Sequence, residues 1–88
     1  MGIVVTKHVD SITVDLGGVS SDRKKARIKL DSIRSITEST DDITIEIIFT
    51  NGEIQGFPYT IVDSVDGNTD ITTQDKLYNA MELVLFTI

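Results

Sequence analysis

At 88 residues the chain can enclose one hydrophobic core but not two, and a core of that size leaves only a small net stability. The absence of Cys excludes disulfides and thiolate metal sites, and a single imidazole, His8, excludes a His-rich metal site; association with a partner is the support left to so small a domain. The net charge of −6 is unevenly spread, with seven Lys/Arg against four Asp/Glu in residues 1–34 and one against ten in residues 35–88. If folding keeps these segments apart, head-to-tail contacts between copies or orientation on a charged surface are favoured; if strands interleave, the charge evens out.

Ile3-Val4-Val5-Thr6 reads as a first strand and Ile12-Thr13-Val14-Asp15-Leu16 as a second, whose alternation places Ile12, Val14 and Leu16 on one face. Gly17-Gly18 with Ser20-Ser21-Asp22 predicts a loop. Alternation resumes at Ala26-Arg27-Ile28-Lys29-Leu30, with Ala26, Ile28 and Leu30 inward, and Ile33 and Ile36 predict a bend at Asp31-Ser32 into a further short strand. The strongest local signal runs from Asp42 to Phe57: Ile43, Ile45, Ile47 and Phe49 form an inward row, Ile48 faces outward, and Asn51-Gly52 predicts a hairpin with a type I′ turn. Pro58 removes a backbone donor, so the run around it reads as an edge or a kink. Tyr59-Thr60-Ile61-Val62 reads as a last strand and Asp63 to Asp70 as a polar turn region. Thr72-Thr73-Gln74-Asp75 fits a capping box, followed by the helical stripe Leu77, Met81, Val84, Leu85 and Ile88, although Leu83–Ile88 is apolar enough for a strand. The reading for residues 1–88 is one domain, α+β and mainly β: a small antiparallel meander or partly closed barrel of about five or six strands with one C-terminal helix.

Candidate chemistry is sparse. His8 lacks an orienting partner or a nucleophile beside it, and no Ser or Thr sits in a nucleophile elbow, so no catalytic residue is assigned and the chain reads as a non-enzyme. Asp66, Asn68 and Asp70 have calcium-loop spacing, but Ile71 and Leu77 stand where an EF-hand requires Gly and Glu; the segment reads as an acidic turn, and no metal or cofactor is assigned. Gly17-Gly18 lacks the Lys and helix start of a phosphate-cradling loop. Arg23, Lys24, Lys25, Arg27 and Lys29 form a basic cluster without interleaved aromatics in an otherwise acidic chain. It reads as a solvated strand entry or a protein-contact patch rather than a nucleic-acid surface, joined as a contact candidate by outward-facing Ile48. No basic n-region with an apolar run opens the chain, and no stretch reaches membrane-spanning length.

The sequence Ile28-x-Leu30-x-x-Ile33-x-x-Ile36, followed by Ile43–Phe49, Asn51-Gly52 and an amphipathic helix, resembles in outline the short flagellar-operon regulators of the FlbD family and PH-like small sheets, over about half the chain. In its richness in Asp, Ser, Thr and Ile the chain is similar to small structural proteins of tailed bacteriophage virions. That resemblance implies an auxiliary or decoration protein of a bacteriophage capsid, located in the virion and bound to many copies of a capsid protein and to itself. The alternative is a small regulatory or adaptor domain of the bacterial cytoplasm that binds one protein partner.

Overall fold

The structure, a computed structural model, describes residues 2–18 and 23–86. Three strands open the chain, β1 (Ile3–Lys7), β2 (Ser11–Asp15) and β3 (Lys25–Lys29), and a 3-10 turn at Leu30–Ser32 leads into β4 (Ile33–Glu38). β5 (Thr44–Phe49) and β6 (Ile54–Pro58) follow, a second 3-10 turn at Tyr59–Ile61 leads into β7 (Val62–Val65), and α1 (Gln74–Phe86) ends the described chain. The protein is α+β and mainly β, with its strands in two sheets of order β3-β2-β1-β7 and β4-β5-β6. Neighbouring strands are antiparallel except for β1 and β7, which pair in parallel, so the fold is not a simple meander.

Both crossings between the sheets are built alike. In each, a strand ends in a 3-10 turn whose first carbonyl, on Leu30 or Tyr59, accepts the N–H of the residue that opens the next strand, Ile33 or Val62. One residue later the register shifts, at Arg34 in β4 and at Asp63 in β7. Such a bulge resets the two-residue alternation. This is why Ile33 and Ile36, and likewise Val62 and Val65, are three apart yet all buried. The last strand therefore does not lie at Tyr59–Val62, where alternation places it: Tyr59–Ile61 is the corner, and β7 takes up the first half of the supposed polar turn region. No repeat is visible in the sequence because Ser35 and Ser64 are the only identical pair between Ile28–Ile36 and Phe57–Val65.

The hairpin at Asn51-Gly52 forms with a different turn. Gly52 N–H donates to the Phe49 carbonyl and Phe49 N–H to the Glu53 carbonyl, and of the loop residues Gly52 alone has positive φ, +90°. That is a three-residue loop in which a tight turn ends in a left-handed glycine, not the type I′ turn. The type I′ geometry occurs instead at Asp66-Gly67, with φ of 50° and 86° and reciprocal bonds between Val65 and Asn68.

Thr73, not Thr72, caps α1: its hydroxyl oxygen accepts the Lys76 N–H at 3.1 Å, and no carboxylate completes a box. Leu77, Ala80, Met81, Val84 and Leu85 form the buried stripe, and α1 remains helical to Phe86; Ile88 and Ser20–Asp22 lie outside the described residues. Gln74 fastens the helix start to the β4–β5 loop by donating from Nε2 to the carbonyls of Ser39 and Thr44, at 2.8 and 2.9 Å. Ile45 and Ile47 are fully buried against this helix and the first sheet, whereas Ile43 is exposed because it precedes β5 in a loop whose N–H groups are held by Asp41.

Candidate functional site

The two sheets share one core and leave two openings, or seams, between them, one flanked by the edge strands β4 and β7 and the other by the edge strands β3 and β6. α1 packs on β4 and β5 of one sheet and on β7 of the other, so it closes the seam between β4 and β7. No described element covers the other seam, between β3 and β6. A groove of about 410 Å³ lies there, lined from one sheet by Val14, Ala26 and Ile28 and from the other by Ile47, Phe49 and Phe57, with Arg23 at its margin. The lining is mostly apolar, and Ala26 is exposed rather than inward as alternation predicts, because no described residue sits on the edge strand that carries it.

Four of the basic residues, Arg23, Lys24, Lys25 and Lys29, are exposed and make no ion pair among the described residues. Arg27 is exposed too, but its Nε donates to Oγ of Ser11 at 3.0 Å, and Ser11 is buried. The register of β3 on β2 places Lys25, Arg27 and Lys29 opposite Asp15, Thr13 and Ser11, on the face away from the core. Asp15, the one acid in that row, accepts the Gly17 N–H. The structure thus gathers the cations along one edge of the groove, but it does not bring Ile48 to them. Ile48 is half-buried on the outer face of the second sheet, where it pairs across with Ile54, an exposed isoleucine that sequence reasoning passed over. Its neighbours Ile47 and Phe49 reach the groove instead. Nothing in a periodicity reading could have marked them, because they look like ordinary core positions.

The charge imbalance along the chain survives folding across the first sheet. The cations lie on edge strand β3, while Asp63 and Asp66 lie in and just after the opposite edge strand β7, next to the helix that carries Asp75 and Glu82.

The remaining candidates are each held by local structure. His8 Nε2 is hydrogen-bonded to Thr13 Oγ1 at 2.8 Å. In the turn with calcium-loop spacing, Asp66 accepts the Lys7 N–H, Asn68 the Asp70 N–H, and Asp70 pairs with Lys76 at 3.1 Å, so the oxygens point to protein partners rather than converge. Gly17-Gly18 is a turn. A smaller hollow of about 200 Å³ separates the turn after β7 from α1, beside exposed Leu83. No described helix is long and apolar enough to cross a membrane.

No family model, curated protein or solved structure matches the chain.

Proposed function

We propose that this chain acts by binding rather than by catalysis, as a structural or interaction module of a larger assembly, and that the open seam between β3 and β6 is where it docks. The observation that carries the reading is the contrast between the seams: among the described residues the fold covers one with its own helix and leaves the other as an apolar groove beside cations that make no ion pair. Apolar surface left in contact with water is what association removes, and a core this small gains stability when it does so. Read most concretely, the module is an auxiliary or decoration protein of a bacteriophage capsid, seated on many copies of a capsid protein in the virion.

Calorimetry and sedimentation over a wide concentration range test the reading. The wild-type chain is expected to unfold at low temperature or to associate as concentration rises, and Ala26→Asp, a charge at an exposed groove position, is expected to suppress the association without loss of fold. A monomer that unfolds cooperatively at high temperature with no concentration dependence would remove the assembly reading and leave the single-partner adaptor.

A further inference from the structure

We infer that the partner contributes an extended segment of alternating apolar and acidic residues, which adds to the edge of β3 as an extra strand and closes the seam. The inference rests on the open seam being the docking site and goes further by naming what fills it.

The hydrogen-bond register of β3 fixes the geometry. Leu16 N–H donates to the Lys24 carbonyl at 2.8 Å, and Leu30 N–H to the Asp10 carbonyl at 2.9 Å. In an antiparallel ladder the bonded positions alternate, so Lys24, Ala26, Ile28 and Leu30 direct their backbone groups at β2. Lys25, Arg27 and Lys29 therefore turn their N–H and C=O groups outward from the sheet edge. Lys25 and Arg27 offer both groups to an incoming strand and Lys29 offers its N–H, the Lys29 carbonyl already accepting the Ser32 hydroxyl at 2.7 Å. The edge of β6 is a poorer template. Phe49 and Tyr59 donate to Glu53 and Ile43, which leaves Ile54, Gly56 and Pro58 on the open side, and Pro58 has no N–H to offer.

A strand added to β3 has its own two faces. Side chains on its inner face continue the row of Ala26 and Ile28 into the groove and must be apolar to lie against Val14, Ile47 and Phe57. Those on its outer face stand beside Lys25, Arg27 and Lys29, three like charges along one edge, where cross-strand pairing favours Asp or Glu and disfavours Lys or Arg. The same row of charges disfavours pairing β3 with the β3 of a second copy.

The test uses the full chain and synthetic peptides of about ten residues, roughly the longest common strand. One peptide alternates Val or Ile with Glu, a twin carries Lys in place of Glu, and two further versions of the acidic peptide are N-methylated on alternate residues of one register or the other. Binding is followed by calorimetric titration, with circular dichroism to confirm the fold. The acidic peptide is expected to bind at one per chain, weakened about tenfold when added salt shortens the screening length. The Lys twin should not bind, and only one of the two N-methylated registers should lose binding, since methylation removes a donor only where the backbone faces β3. Lys25→Glu combined with Lys29→Glu, two exposed positions without side-chain partners, should weaken the acidic peptide about tenfold or more. Arg27 is left in place because it satisfies buried Ser11.

Equal binding of the acidic and Lys peptides, or equal loss from both methylated registers, would overturn the acidic strand and leave the open seam as the docking site. Tighter binding of a single-stranded oligothymidylate at the same salt would overturn it in favour of phosphate. Failure of every probe in a chain that self-associates in an Ala26→Asp-sensitive manner would put a second copy in the groove. Failure of every probe in a strict monomer would remove the docking site as well.

Discussion

Asp41 shows how much of this fold's order is local. Its Oδ1 accepts the N–H groups of Ile43 and Thr44, each at 2.8 Å, and its Oδ2 accepts the Thr44 hydroxyl at 2.6 Å, which shapes the loop between β4 and β5 and leaves Asp42 at a φ of 63°. The Thr44 hydroxyl, followed by the backbone donors of Thr44 and Ile43, favours the ionised form and holds the Asp41 carboxyl below the ordinary aspartate value. A carboxyl whose folded value is depressed contributes stability that is present above its unfolded value, about 3.9, and is lost as pH falls through the folded one. Asp41→Asn keeps one acceptor oxygen but has no charge to protonate. The wild type should therefore be the more stable at neutral pH, and the gap should close as the pH is lowered below about 4. Urea midpoints of the two proteins at neutral and acid pH measure it; a gap that stays constant with pH would mean that the charge is not what matters at this loop.

At the scale of elements, the parts that follow from local chemistry were legible in the sequence and the parts that follow from long-range pairing were not. The alternation of Ile12-Thr13-Val14-Asp15-Leu16, the hairpin around Asn51-Gly52 and the stripe from Leu77 to Leu85 each describe contacts made within a few residues, and each appears at its expected place. Turn type is decided by one backbone bond more or less. Asn-Gly and Asp-Gly both supply left-handed conformers, yet here Asn51 stays in the ordinary region and Asp66 does not. The first corner is legible as the bend at Asp31-Ser32, but alternation makes the second corner, Tyr59–Ile61, a strand and most of β7 a polar turn, because a bulge breaks the period on which the reading depends. The groove is the least legible feature, because it exists only where β3 and β6, far apart in sequence, leave an edge unpaired. Gly52 allows the hairpin assignment to be tested. A Cβ added there would meet nothing within 4 Å, so any penalty comes from its φ of +90° alone. Gly52→Ala should cost about 1 kcal/mol, whereas Gly52→D-Ala, made by chemical synthesis, should cost nothing or stabilise the fold. Equal losses from both in chemical denaturation would show that the turn is not left-handed at this residue.

For the molecule as a whole, the two seams give the same kind of residue two different values. Leu77 is fully buried where α1 closes the seam between β4 and β7, and Ile28 is half-buried on the open one. Both are apolar side chains in contact with one continuous core, so a uniform sheet sandwich would penalise their truncation alike. In this fold Leu77→Ala leaves an enclosed cavity and should cost about 2–5 kcal/mol, a large share of the stability of a domain this small. Ile28→Ala removes a side chain that water already reaches, and its cost should be about half that or less. The order is expected to hold for the isolated chain in urea denaturation and to narrow when the seam is occupied, because a strand seated on β3 would bury Ile28 as α1 buries Leu77. A loss at Ile28 as large as that at Leu77 in the isolated chain would mean that the seam is already closed, and the docking site would have to be sought elsewhere on the surface.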